Sequence, residues 1–287
     1  MINHWKTHLN LGWIASCLMI ISCATTTDFV TGKSTYNSFS IEEDIELGKI
    51  IRDRNIQVFE QEDIPINEDK KMVANLENIV KVLAAVSDLP NLPYNVNLIQ
   101  AADIINAAAA PGGSILVYEG LYVPKNDFVK TNDELAAVLA HEIGHVTARH
   151  TTEELSRKKA VATAGKFVST ALSLAVGFTT GDSNLSDLAG NLFDTAYGIG
   201  TAVWFPVYTR SQEAEADAIG MKYLAKAGIN PQAAIDIWKR ASTKSKDKPY
   251  SLFASHPSDE QRYNALEALL PENMAIYNQV VAAKSGK

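Results

Sequence analysis

Apolar residues along the chain recur at two different spacings, and the change from one to the other marks out the elements. Ser40-Ile41-Glu42-Glu43 has the form of a capping box, and the pattern behind it predicts a helix to about Phe59. Met72, Val73, Leu76, Ile79, Val80 and Leu83 recur at helical spacing and predict a second. Pro90 and Pro93 interrupt. Beyond them Tyr94 to Ile99, Asp103 to Ala110 and Ser114 to Tyr118 read as short strands, the last two joined through Pro111-Gly112-Gly113. Thr131-Asn132-Asp133-Glu134 repeats the capping-box pattern, and Leu135, Val138, Leu139 and Ile143 carry a helix through at least Ala148. Further helices are predicted at about Ser211 to Ala227, closed by Gly228, from Pro231, capped by Asn230, and from Ser258, capped by Ser258 with Gln261. The predicted fold class is α+β, mainly helical, with a small β-sheet.

The first 40 residues follow neither spacing. Met1 to Ser22 has a polar start with Lys6 and an apolar stretch from Leu11 to Ile21, the layout of a secretory signal peptide. Ile20-Ile21-Ser22-Cys23 resembles a bacterial lipobox, which makes Cys23 the expected lipid-bearing residue. Ile14-Ala15-Ser16-Cys17 fits the same pattern but leaves a shorter apolar segment ahead of it. The expected organisation is a signal peptide at 1–22, a lipidated flexible tether rich in Thr, Ser, Gly and Asn at 23–40, and a folded domain at 41–287. Two or more acyl chains anchor a protein to a membrane without a spanning helix. With Cys17 removed and Cys23 acylated, no disulfide framework is expected. By resemblance to enterobacterial sorting, Ala24 after Cys23 favours the periplasmic side of the outer membrane over the inner.

Composition narrows the function classes. The 287 residues are 46% hydrophobic and carry a formal charge of -7, which excludes a disordered chain and argues against nucleic acid as a partner. No apolar run reaches the roughly 18 to 20 residues that a membrane-spanning helix needs. The Ala-, Gly- and Ser-rich stretch from Ala160 to Val203 reads as two packed core helices, with a mobile lid or a membrane-contacting face as alternatives.

Chemistry concentrates at His141-Glu142-Ile143-Gly144-His145. On a helix, residues four apart lie about 40° apart around the axis and one turn along it, so both imidazoles reach one cation. Zinc, one per chain, suits two neutral nitrogens, and Glu142 beside them is placed as general base for the attacking water. A third protein ligand is needed. In Glu213-Ala214-Glu215-Ala216-Asp217, Glu213 and Asp217 share a helix face, whereas Glu215 points about 200° away. Glu213 is therefore assigned to zinc and Asp217 to the free N–H of His141, the alternative being a solvated acidic face. His150 invites a longer histidine motif, but Ala148 and Thr151 stand where that motif needs Gly and His. On a continuous helix it would lie about 140° from His145, as a surface group or one behind the ligands.

Those residues, with Arg210-Ser211-Gln212 before the acidic run, resemble metallopeptidase family M48, that of the CAAX prenyl endopeptidase, and specifically its soluble periplasmic branch. Asn106-Ala107 with Pro111-Gly112-Gly113, Gly120-Leu121, and Ser255-His256-Pro257 with Arg262 add to the likeness, which runs from about Ile41 to Leu270. The resemblance implies a zincin-type domain with its small sheet beside the motif helix. It also implies zinc-dependent endopeptidase activity on misfolded or unassembled envelope proteins. A strand at Asn106, Ala107 and Ala108 would pair with an extended peptide, although the family often has an aromatic residue where Ala108 stands. No repeat array is expected after the peptidase body, so docking to the barrel-assembly machinery is a possible partnership that the resemblance alone does not transfer. His256 is expected to act as a self-inhibitory latch on the fourth zinc position, or as a transition-state or structural group. Arg262 is expected to face the site as an oxyanion stabiliser, or else to sit in a surface salt bridge. A metal-stabilised chaperone or assembly factor, its site closed by His256, is the competing function.

Overall fold

The computed structural model describes residues 25–27, 32, 34–160, 206–243, 256 and 260–286. The signal peptide, both candidate lipidation cysteines, the stretch 161–203 and the Ser258 cap lie outside the described residues.

The described residues form seven α-helices and a three-stranded sheet, with a separate strand pair. Helix α1 (Ile41–Gln61) opens with both halves of the Ser40–Glu43 capping box in place, and α2 (Lys70–Ala84) is capped by Asp69, which accepts the Met72 N–H at 3.0 Å. Strands β1 (Thr25–Thr27) and β2 (Ser34–Tyr36) form a separate antiparallel pair. The main sheet has the order β3 (Asn95–Ile99), β5 (Ser114–Tyr118), β4 (Ala107–Ala110), with β3 parallel and β4 antiparallel to the central strand. Helix α3 (Asn132–Thr147) is followed by α4 (150–160), α5 (Arg210–Ala227), α6 (Gln232–Thr243) and α7 (Glu260–Ser285). The chain is mainly helical with a small sheet, as its patterning predicts. No described helix is long and apolar enough to cross a membrane.

Helix α3 is the centre of this arrangement, with every residue from Glu134 to Thr147 buried. A helix covered all round needs partners on each side. Here they are α5 and α6, α2 and the edge strand β4. The β4–β5 hairpin turns at Pro111–Gly113, where Gly112 has a φ of 72° and a Cβ would lie 2.5 Å from Ile45 Cα of α1. Only glycine satisfies both demands.

Three expectations change. The strand foreseen from Asp103 starts at Ala107, because the Ile104 N–H turns back to the Ala101 carbonyl at 3.1 Å. The Thr131 box is only half formed. Thr131 accepts the Glu134 N–H, but the Glu134 carboxylate instead takes the Lys130 N–H at 2.6 Å and both arms of Arg240 at 2.7 and 2.9 Å. The packed body also begins before residue 40, within the expected tether. Asn37 and Phe39 are buried, and Arg149 holds the Phe39 carbonyl at 2.6 Å, the Ser40 carbonyl at 3.1 Å and Asp44 at 2.6 Å.

Candidate metal centre

Two helices cross closely enough to bring the site together. A Cβ on Gly144 of α3 would stand 2.8 Å from the Ala216 carbonyl oxygen of α5, and one on Gly220 would stand 2.9 Å from Ala140 backbone. Glycine at both positions lets the backbones touch. At that crossing Glu213, in the first turn of α5, lies beneath the two imidazoles of α3.

The His141 and His145 rings meet edge to face, with centroids 4.6 Å apart and Nε2 atoms separated by 3.1 Å. Glu213 is fully buried and places its two oxygens 3.5 Å from the Nε2 atoms of His141 and His145. His256 puts Nδ1 3.0 Å from Glu213 Oε1 and 3.2 Å from His141 Nε2. These four residues form a buried group able to hold a metal ion. Three imidazole nitrogens and a carboxylate crowd one point where a single N–H satisfies one neighbour at most, and a shared cation resolves the crowding. Separations of 3.0 to 3.5 Å also match the edge, about 3.4 Å, of a tetrahedral shell drawn at zinc–nitrogen bond length. The residues fit the ion.

Other groups orient this set. Asp217 Oδ1 lies 2.9 Å from His141 Nδ1, which fixes that ring with Nε2 turned inward. Arg262 is buried against α5, with Nε and Nη2 on Asp217 at 2.7 and 2.8 Å and Nη1 on Glu213 Oε2 at 2.7 Å. Trp238 of α6 covers the guanidinium at 4.5 Å. Glu142 is fully buried, and neither oxygen has a hydrogen-bond partner among the described residues, with His256 Nε2 3.3 Å from Oε1. Burial alone would lower the His141 pKa, yet its hydrogen bonds to Asp217 and Glu213 push it up to about 9. Burial and the neighbouring His141 charge hold His145 well below the usual range. Burial would raise Glu213, but the facing His256 and His141 hold it well below a normal carboxylate.

The sequence assignments of His141, Glu142, His145, Glu213, Asp217 and His256 thus meet at one place. Glu215 lies outside the cluster, 3.6 Å from His150 Nε2. Arg262 departs from the oxyanion role expected of it, because Asp217 and the candidate ligand Glu213 occupy its guanidinium. Ala107 and Ala108 lie on the sheet edge beside α3, buried, and Asn106 immediately precedes them with its Oδ1 accepting the Ala107 N–H at 2.9 Å. His150 is not on the far face of a continuous helix. The chain breaks at Arg149, φ 57°, and returns His150 Nδ1 to within 2.8 Å of His145 Nδ1. Sequence reasoning also missed Tyr208, whose ring stacks on His145 at 3.7 Å and 12°, and no residue pattern marks it out.

A buried helix carrying His-Glu-x-x-His, faced by a glutamate from a second helix, is the centre of a zincin-type metallopeptidase. The model of Peptidase family M48 matches residues 70–270, and the chain belongs to that family. It is 31% identical over 199 residues to the mitochondrial metalloendopeptidase OMA1 of Schizosaccharomyces pombe, covering 69% of this chain and 52% of that protein. It is 27% identical over 200 residues to the beta-barrel assembly-enhancing protease of Yersinia pestis, covering 69% and 39%. It is also 27% identical over 196 residues to the metalloprotease YcaL of Escherichia coli, covering 68% and 69%. The chain thus spans about half, or less, of the first two relatives.

Proposed function

We propose that the protein is a lipid-anchored, zinc-dependent endopeptidase acting on misfolded or unassembled proteins of the bacterial envelope. His141, His145 and Glu213 would hold one zinc per chain. The metal, when bound, would polarise the scissile carbonyl and acidify water at the site. Glu142 takes the water proton and returns it to the leaving amine. Asp217 keeps His141 in the tautomer that presents Nε2, and Arg262 steadies both Asp217 and Glu213. The edge strand beginning at Ala107 offers its main chain to an extended peptide. Envelope substrates and the periplasmic, outer-membrane setting rest on the names of the bacterial relatives and on the lipobox at Cys23.

The observation that carries this reading is Glu142, a buried carboxylate without a hydrogen-bond partner among the described residues, next to converging imidazoles. A purely structural site gains nothing from such a group. Glu142→Gln removes the base and leaves every ligand, so it should keep one zinc per chain while proteolysis of an unfolded protein falls by roughly 10²- to 10⁴-fold. Near-normal proteolysis in that variant would refute the mechanism. One feature favours the competing reading of a metal-stabilised assembly factor, namely that His256 belongs to the same buried group as His141, His145 and Glu213. That reading predicts no zinc-dependent proteolysis under any condition.

A further inference from the structure

The two imidazoles of α3 are backed differently. His141 rests on a carboxylate, which Arg262 in turn secures. Among the described residues, the partner behind His145 is an imidazole rather than a carboxylate. His145 Nε2 faces the ligand cluster, and its Nδ1 lies 2.8 Å from Nδ1 of His150, itself 1% exposed. Two ring nitrogens approach that closely only with one hydrogen between them, since two hydrogens collide and none leaves opposed lone pairs. If Nε2 of His145 gives its lone pair to a metal, the hydrogen must sit on His145 Nδ1. His150 must then present a bare Nδ1 and carry its own hydrogen on Nε2, which is the atom turned toward Glu215 Oε2 at 3.6 Å.

We propose that His150 is a positioning residue, its Nδ1 accepting the Nδ1–H of His145 and so holding that ring in the tautomer and orientation that present Nε2 to the metal. The inference rests on the metal-centre reading above. Three contacts fix His150 and His145 together. The left-handed turn at Arg149, clamped to Asp44 and the Phe39 carbonyl, brings His150 back under α3. The next residue, Thr151, bonds the Tyr208 hydroxyl at 3.0 Å, and the Tyr208 ring lies flat against His145. Tyr208 therefore sets the plane of His145, and His150 sets its rotation within that plane. An imidazole acceptor adds no negative charge behind the ligand, unlike Asp217, so the two metal-facing nitrogens are unequally basic.

The test uses the full chain, with zinc affinity measured by chelator competition and the ligand field by cobalt(II) absorption. His150→Leu should weaken binding by about 10- to 100-fold and alter the cobalt spectrum, as loss of such a partner does elsewhere. His150→Asn can place Oδ1 near the position of the lost Nδ1 and should restore most of the affinity. His150→Gln, which reaches instead toward the Nε2 position, should not. Melting of the metal-free variants checks that they fold. Side-chain ¹⁵N spectra of the zinc-loaded wild type need no variant and should show His150 with Nδ1 bare and Nε2 protonated. Unchanged affinity and spectrum in His150→Leu, an Asn variant as weak as the Leu variant, or an Nδ1–H tautomer on His150 would each overturn the proposal. A wild type that takes up neither metal would instead overturn the metal-centre reading on which it stands.

Discussion

At the scale of single residues, the acidic run of α5 separates two chemically identical side chains by direction alone. Glu213 is fully buried against the imidazoles, whereas Glu215, two residues on, looks toward His150. Glu213→Gln should therefore cost the protein most of its zinc, and Glu215→Gln should leave zinc stoichiometry unchanged, as metal analysis of the purified variants would show. The reverse result would mean that the helix presents its other face. His256 poses a question of rate. Its Nδ1 lies 3.2 Å from His141 Nε2 and 3.0 Å from Glu213 Oε1, so if the side chain acts as a latch, His256→Ala should raise proteolysis of an unfolded substrate with zinc retained. A fall in rate would make it a transition-state group, and no change would leave it structural. His141, Glu142 and His145 were legible because their meeting requires only a helix, and Glu213 because Asp217 shares its face. His150, Tyr208 and Trp238 were not, since each reaches the site through tertiary packing. A left-handed turn at an arginine has no signature in a sequence.

Between elements, the separation of α3 and α5 decides whether a site exists. Gly144 and Gly220 each leave room for the opposite backbone, and an added methyl at either would press on main-chain atoms, which cannot swing away as a side chain does. Gly144→Ala should cost about 1–3 kcal/mol of stability by overpacking and weaken zinc binding as Glu213 recedes from the imidazoles. Thermal melting with zinc titration checks both. Unchanged metal affinity would show that the ligands do not depend on this spacing. The sequence announced both helices, the Thr131 cap of α3 and the Gly228 end of α5, but neither the Thr209 cap of α5 nor this contact, because a glycine within a helix reads equally as a weak point or as a crossing. The half-formed Thr131 box has a similar cause. The pattern was present, but a distant Arg240 competed for Glu134.

For the whole molecule, that Glu134–Arg240 pair joins the start of α3 to α6, and Arg240 also holds the Phe128 carbonyl. Burial opposes the Glu134 charge, but the Arg240 hydrogen bonds outweigh it and keep the pKa below the ordinary 4.5. A carboxylate lowered in the folded state contributes stability above its unfolded value and loses it as the pH falls through the folded value. Glu134→Gln should therefore destabilise by about 1.5–3 kcal/mol at neutral pH, with the gap closing in the acid range below 4.5. A gap of equal size at both pH values, read by denaturant titration, would remove the pair from the acid limb. The clamp near residue 40 has a mechanical meaning. Asn37 bonds Thr152 at 3.0 Å, the Ser38 N–H bonds Ser156 at 2.9 Å, and Arg149 grips the two carbonyls that follow. A pull on the N-terminal strand is thus borne first by the segment directly behind the histidine helix. The Arg149–Asp44 pair then shares that load with α1.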